Sequence, residues 1–282
     1  MRTNFDELLE AGVHFGHLKS KWNPSMAPYI FSEKNGIHVI DLNKTARKIE
    51  TAAAAMKQIT KSGKKILFVA TKKQAKDVVA ERVKAIGMPY VTERWSGGML
   101  TNFATIRKGV RKMSQIDKMG EDGTLKTMSK RERLQVSRQR AKLEKNLGSI
   151  TDLTRIPAAI FIVDVSKEHI ALAEAKKLGI PVFAMVDTNS DPRPVDFPIP
   201  SNDDASRSIA LVLDALSQAV AEGLQERKSD KDAADAAIAK SKAKKEATEA
   251  AAEAPAAEAP AAEAVVAEAP AAEAPSEDKK ED

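Results

Sequence analysis

Apolar and polar positions alternate along the chain in blocks that predict strands and helices in turn. Three continuous apolar runs have the length and β-branched content of buried strands, at 66–70, 159–164 and 181–186. Apolar residues recur at helical spacing between and after them, in 73–86, 167–178 and 201–222. Buried strands that alternate with helices are typical of a parallel sheet covered on both faces, so we predict a three-layer α/β fold.

The N-terminal part predicts further short elements. These are a helix at 4–12, a turn at Asn35–Gly36 with a strand at 37–40, a helix from about 43 to 60, and a short strand at 89–91. Residues 13–31 contain two prolines and no clear period, which predicts an irregular loop. Ser201 and Asp204 have the spacing of a capping box at the start of the last helix.

A basic helical segment interrupts the strand–helix alternation after the paired glycines Gly97 and Gly98. Its apolar residues recur at narrow helical spacing in two series: Phe103, Ile106, Val110 and Met113, then Val136, Leu143, Leu147 and Ile150. Such seams are typical of two helices that pack mainly on each other. We therefore predict an α/β body of residues 1–102 and 150–227 with an antiparallel coiled-coil hairpin inserted at 103–149.

The C-terminal segment and the rest of the chain differ sharply in net charge. Residues 246–282 hold eleven acidic and two basic residues, a net charge of −9, and repeat Ala-Glu-Ala-Pro units. This composition predicts a disordered acidic tail from about residue 228 to 282. The remaining 43 basic and 29 acidic residues give the rest of the chain a net charge of +14, and this surplus favours a polyanionic partner, nucleic acid before membrane.

Cysteine usage and hydropathy limit the function classes further. The chain has no cysteine, which excludes disulfides and thiolate metal sites. It has no apolar run of the length of a membrane span, and its N-terminus lacks the apolar core of a signal peptide. We expect a soluble cytoplasmic protein without a membrane partner.

An α/β sheet also suggests a nucleotide- or magnesium-dependent enzyme. Lys72, Asp164 and Asp187 each follow a predicted strand, where α/β folds bind ligands. However, Ser62-Gly63-Lys64-Lys65 precedes a strand and lacks the first glycine of a phosphate loop. Carboxylates at strand ends often cap the following helix, and His14 with His17 lacks a third metal ligand nearby. We expect no catalytic residue, metal or cofactor, and keep the enzyme as the alternative.

The inserted segment carries the strongest signal for nucleic acid. Residues 101–150 hold thirteen basic and five acidic residues, whereas a solvated coiled coil mixes both signs. Basic residues flank both apolar seams, and we predict backbone-phosphate contacts by Arg107, Lys108, Arg111, Lys130, Arg131 and Arg138. Trp22, Tyr29 and Trp95 are candidates for stacking on unpaired bases, although each is also a candidate core residue. A protein–protein adaptor acting through the hairpin and tail is a third hypothesis.

Seven motifs occur in an order that resembles a known family. They are GVHFGH at 12–17, WNPSMAPYI at 22–30, NGIHVIDL at 35–42, FVATKKQA at 68–75, RWSGGMLTN at 94–102, VDTNSDP at 186–192 and IPSNDDASRSI at 199–209. Together they closely resemble the bacterial small-subunit ribosomal protein two family over about residues 3–225. The Ala-Glu-Pro tail is not part of the shared pattern.

The resemblance implies a flavodoxin-like sheet with an inserted coiled-coil hairpin in a non-catalytic, structural component of the small ribosomal subunit. It implies binding to small-subunit ribosomal RNA where the head meets the body, and a role in holding small-subunit ribosomal protein one. The matching positions that we expect near RNA are His17, Lys19, Lys21, Trp22, Asn23, Lys72, Lys73, Arg94 and Asn102.

Overall fold

A computed structural model of the chain describes the backbone of residues 2–252, and the side chains of these residues except 126 and 233–252. Contacts divide the chain into two units, residues 1–233 and 234–282. The sheets, the inserted helices and the sites below all belong to the first unit.

A small antiparallel sheet stands at the N-terminus. The first helix, α1 (Phe5–Glu10), begins at a capping box formed by Asn4 and Glu7. Strands β1 (Phe15–Leu18), β2 (Ile30–Lys34) and β3 (Ile37–Ile40) follow in the spatial order β1-β3-β2. The β2–β3 turn is confirmed at Asn35 and Gly36, whose positive φ values of 53° and 76° match the twist of a tight hairpin.

The prediction of an irregular loop over 13–31 is wrong in part. Residues 15–18 form β1, and two 3₁₀ helices, Lys19–Lys21 and Pro24–Tyr29, connect it to β2. β1 is short and its burial does not alternate between inside and outside. A strand of this kind leaves no period-2 signal in the sequence.

The main sheet is parallel throughout, which confirms the α/β prediction. Its strands are β4 (Ile66–Val69), β5 (Tyr90–Val91), β6 (Ala159–Val163), β7 (Val182–Val186) and β8 (Phe197–Pro200). They lie in the order β5-β4-β6-β7-β8. The sequence did not predict β8, because Pro198 and Pro200 read as strand breakers, but prolines are tolerated in a strand at a sheet edge.

Alternate residues of the central strands enter two separate apolar layers. Phe68, Phe161 and Phe183 are fully buried and pack under α2 (Leu42–Lys61), α3 (Lys73–Ala85) and the N-terminal part of α8 (Ser206–Ala252). On the other face, Leu67 and Ile160 pack with α7 (His169–Lys177) and with the base of the inserted segment. Burial on both faces explains why these strands are continuous apolar runs.

The inserted segment forms helices α4 (Phe103–Glu121), a short α5 (Thr124–Thr127) and α6 (Lys130–Leu147). A Cβ at Gly109 would lie 3.1 Å from Leu147, and Asp117 pairs with Arg140, so α4 and α6 run antiparallel. The capping box of Ser129 and Glu132 is confirmed. The coiled-coil supercoil stays a prediction.

The last helix, α8 (Ser206–Ala252), differs from its prediction at both ends. Ser201 does not cap it, because its hydroxyl donates to the Ile199 carbonyl, while Asn202 Oδ1 accepts from the Asp204 amide at 2.9 Å. Helix also continues past residue 228, where we expected order to stop. Residues 228–252 contain no proline or glycine and are rich in alanine, a strong helix former. The rest of the predicted tail, 253–282, lies outside the described residues.

Candidate nucleic-acid interface

An ionic cluster occupies the edge where the parallel strands end. Lys72 follows β4, and its ammonium lies 2.7 Å from Asp203 Oδ1, 2.6 Å from Asp204 Oδ1 and 3.4 Å from Asp164 Oδ2. Its side chain is only 14% exposed. Burial works to lower the pKa of Lys72, but hydrogen bonds to Asp203 and Asp204 outweigh it and raise that pKa. The phosphate contact at Lys72 stays a prediction, and three carboxylates surround its ammonium in the structure.

His17 reaches the same cluster from β1. The His17 amide donates to Thr188 Oγ1 at 2.8 Å, and a Cβ at Gly16 would clash with the Thr188 side chain at 2.6 Å, so the two segments are in close contact. The ring nitrogen Nδ1 lies 3.0 Å from Asp187 Oδ2. Hydrogen bonding of the ring to the Asp187 carboxylate raises the pKa of His17, although burial opposes the shift. His17 thus faces carboxylates, and His14 packs elsewhere, against Phe15.

The cluster has the chemistry of a cation site. One donor atom each from His17, Asp187 and Asp203 lie within 4.8 Å of one another. Asp203 is fully buried, and its Oδ2 accepts no hydrogen bond from the described part of the chain. Burial, followed by the charges of Asp164 and Asp187, raises the pKa of Asp203 to about 7. An imidazole with two carboxylates suits a borderline divalent cation such as Zn²⁺.

Sequence reasoning missed this set for two reasons. It paired His17 with His14, which is near in sequence but not in the cluster, and it did not single out Asp203. The signal that was available is that Asp164, Asp187 and Asp203 all follow strands of one parallel sheet, so their side chains converge at one edge. Because β8 was not predicted, Asp203 was not recognised as a residue that follows a strand.

The other positions predicted in the N-terminal loop differ in accessibility: Trp22 and Asn23 are half-buried, whereas Lys19 and Lys21 are exposed. Trp22 is half-buried with its ring 5.0 Å from that of His38, and Asn23 accepts from the Ser25 amide with its side chain. Lys19 pairs with Glu33 at 2.7 Å. Lys21 is exposed and makes no ion pair in the described part of the chain.

The bend before the hairpin is built around one buried carboxylate. Glu174 of α7 accepts from the Gly98 amide at 2.7 Å, the Leu100 amide at 2.9 Å and the Thr101 amide at 3.1 Å. The indole of Trp95 donates to it at 3.1 Å, and Trp95 is buried. Trp95 therefore braces the base of the hairpin, and its ring is not available for stacking on a base.

Arg94 and Asn102 flank this bend and are exposed. Asn102 accepts from the Thr105 hydroxyl, whereas Arg94 makes no ion pair among residues 2–232. Lys73 is likewise exposed at the first position of α3. Arg94 and Lys73 are thus exposed cations, as a contact with a phosphate requires.

The hairpin presents most of its predicted basic residues to solvent. Arg107 is anchored, since its guanidinium donates to the Leu153 carbonyl at 3.0 Å. The remaining predicted residues are exposed and make no ion pair where the structure describes side chains: Lys108, Arg111, Lys130, Arg131 and Arg138. The structure therefore places the predicted site residues in three groups: the ionic cluster with its loop, the bend, and the hairpin.

No helix within residues 2–252 is long and apolar enough to cross a lipid bilayer.

Comparison with known proteins agrees with the predicted resemblance. The profile of the family described as Ribosomal protein S2 matches residues 8–223. Small ribosomal subunit protein uS2 of Phocaeicola vulgatus is 70% identical over 230 residues, 82% of each chain. The proteins of the same name from Parabacteroides distasonis and Bacteroides thetaiotaomicron are 66% identical over 236 residues and 68% identical over 230 residues. These alignments cover 84% and 82% of this chain, and 85% and 83% of the two relatives. The chain therefore belongs to the ribosomal protein S2 family of the small ribosomal subunit.

Proposed function

We propose that this protein is a structural, RNA-binding constituent of the small ribosomal subunit in the cytoplasm, and that it binds small-subunit ribosomal RNA where the head meets the body. The observation that carries the proposal is the charge of the hairpin. Arg140 and Lys145 pair with carboxylates, but most of its exposed basic residues make no ion pair in the described structure: Lys108, Arg111, Lys130, Arg131 and Arg138 are among them. A hairpin that was only solvated would pair such residues with acidic ones along the helix.

The proposed mechanism is electrostatic and positional. Lysines and arginines of the hairpin, 103–149, neutralise backbone phosphates without reading bases. The body, 1–102 and 150–227, adds Lys21, Lys73 and Arg94. Because Glu174 fixes the bend at the base of the hairpin, the rod keeps one direction relative to the body and holds two RNA segments at a set distance.

We also propose that the protein helps to hold small-subunit ribosomal protein one and that it is not an enzyme. The first part rests on the family. Support for the second comes from the ionic cluster: Asp164 accepts from the Lys167 amide and pairs with Lys72, so these candidate enzyme residues hold each other in the fold.

The test is the salt dependence of binding to small-subunit ribosomal RNA. A contact with Z phosphates makes the logarithm of the binding constant fall with the logarithm of salt concentration, with a slope of about −0.9Z on a duplex. We expect a steep slope for the full chain. The variant Arg111→Ala/Arg131→Ala should reduce its magnitude by about 1.8. A slope near zero for the unaltered protein would disprove the proposal.

The enzyme alternative has its own discriminating measurement. If the cluster were a nucleotide site, calorimetry with a nucleoside triphosphate and magnesium would give saturable binding that Lys72→Met abolishes. We expect no such binding, because the ammonium that would contact phosphate is held by three carboxylates.

A further inference from the structure

The side of the main sheet where its strands end and the side where they begin differ in charge. At the edge where the strands end, Asp164, Asp203 and Asp204 surround Lys72, and Asp187 pairs with His17. Carboxylates at this density repel a phosphodiester. The opposite edge, where β4 and β6 begin, has a cleft of about 500 Å³ lined by Lys64, Lys65 and Arg155, and no acidic residue is among the lining residues.

The turn before β4 forms one wall of this cleft. Gly63 has a φ of +80°, and a Cβ at this position would lie 2.7 Å from the guanidinium carbon of Arg227. An arginine from α8 thus lies against the turn at Gly63. This is the Ser62–Lys65 segment that fails as a nucleotide phosphate loop because it precedes its strand. The two lysines of this segment, Lys64 and Lys65, are not members of the ionic cluster around Lys72.

The basic residues of this cleft are accessible. Lys64 and Arg155 are exposed, and neither forms an ion pair within residues 2–232. The ammonium of Lys65 donates to the backbone carbonyl of Asp152 at 3.2 Å, and no carboxylate pairs with this ammonium within residues 2–232. A neighbouring cleft of about 260 Å³ adds Lys84 and shares Lys65.

The cleft continues onto the hairpin. Arg107 of α4 donates to the carbonyl of Leu153, and Leu153 lines the cleft. Arg107 also lines a cleft of about 350 Å³ on α4, together with Arg111 and Lys118. No acidic residue lines this cleft either. Basic residues therefore line a surface that runs from α4, over the base of the hairpin, to the Gly63 turn. The exposed Asp152, which lines the cleft of about 260 Å³, lies between Thr151 and Leu153 on this path.

We propose that this surface, with Lys64 and Arg155 at its end on the body, binds a continuous stretch of RNA backbone that also lies along α4. The inference rests on the proposed function and adds where the RNA crosses from the hairpin onto the body. The partner is a polyanion because the charged side chains that line the two clefts are all basic: Lys64, Lys65 and Arg155 in one, and Arg107, Arg111 and Lys118 in the other.

The experiment compares two double variants of the full chain. Lys64→Ala/Arg155→Ala removes two charges from the surface. Arg47→Ala/Arg207→Ala is the matched control, because both arginines are exposed and make no ion pair in the described structure. Circular dichroism verifies the fold of each variant, and filter binding to small-subunit ribosomal RNA is measured between about 50 and 200 mM salt.

We expect the surface variant to bind more weakly and the magnitude of its salt slope to fall by about 1.4 to 1.8, since each phosphate contact contributes about 0.7 to 0.9. The control variant should keep the slope of the unaltered protein. If the surface variant matches the control while the unaltered protein keeps a steep slope, the inference is wrong and the proposed function stands. If the unaltered protein shows no slope, both fail.

Discussion

The indole of Trp95 donates a hydrogen bond to Glu174, 79 positions further along the chain, at 3.1 Å. The same carboxylate accepts from the amides of Gly98, Leu100 and Thr101, which follow Trp95 in the bend. Burial raises the pKa of Glu174, but these donors outweigh it and lower the pKa below its usual value. The bend is therefore a fixed support for the hairpin.

Replacing Glu174 by Gln should loosen the base of the hairpin. The amide has one acceptor oxygen and no charge, so some of the buried donors lose their partner, at a cost of about 1–3 kcal/mol in the free energy of unfolding. Hydrogen exchange at the amides of Gly98, Leu100 and Thr101 should accelerate. Glu81→Gln, on an exposed position of α3, is the control and should change neither quantity. Unchanged protection of the three amides in the Glu174 variant would contradict this account.

Lys72→Met should destabilise the fold, whereas Lys73→Met should not. Removing the ammonium leaves Asp164 and Asp203 buried together without a counter-charge, which costs about 3 kcal/mol. Lys73 is exposed, so its change stays within about 0.5 kcal/mol. Urea unfolding of both variants provides the comparison. Part of the loss should be recovered between pH 8 and pH 5, since Asp203, whose pKa is raised to about 7, then takes up a proton. Equal stability of the two variants at pH 8 would show that the cluster does not depend on Lys72.

Gly223→Ala should disrupt the contact between α8 and α2. A Cβ at Gly223 would lie 2.6 Å from the Lys57 carbonyl oxygen and would clash with the Thr60 hydroxyl. The helices must separate, and we expect a loss of about 1–3 kcal/mol in thermal unfolding. Gly120→Ala in α4 is the control, because its nearest neighbour is Leu125 at 3.6 Å and alanine favours helix by about 1 kcal/mol. A stabilised Gly223 variant would mean that the helices do not approach this closely.

The ion pair between Arg2 and Glu222 should make stability depend on acid pH. Two hydrogen bonds, at 2.7 and 2.6 Å, join the side chains, and Arg2 lowers the pKa of Glu222 to about 2. A carboxyl whose pKa is lower in the folded state stabilises the fold above its unfolded value of about 4.3 and loses that effect as the pH falls towards 2.

The measurement is the difference in unfolding free energy between the unaltered protein and Arg2→Ala at pH 7, 4 and 2. Solvent screens the pair, because Glu222 is 37% exposed, so we expect about 1 kcal/mol at most at pH 7. The difference should shrink below pH 4 and vanish near pH 2. A difference that stays constant across this range would assign the effect of Arg2 to packing. Arg47→Ala, which removes an exposed arginine, should show no such dependence.

The sequence by itself determined the α/β class, the three central strands and the inserted basic helices. Side chains such as Phe68 and Ile160 are buried on opposite faces of a covered sheet, and that burial leaves a continuous apolar run in the sequence. The strand β8 was not predicted, because proline weakens the sequence signal for a strand. Proline is nevertheless tolerated in a strand at the edge of a sheet.

Only the tertiary structure decided which functional side chains meet. The charge of Lys72 and its position after a strand made it a candidate phosphate contact. The sequence could not show that the carboxylates of Asp164, Asp203 and Asp204 lie around its ammonium. Likewise, the pattern could not join Lys64 to Arg155, which are brought together by parallel pairing of β4 with β6. Periodicity reports the burial of single positions, whereas electrostatics depends on distances between groups far apart in the chain, and the fold alone sets those distances.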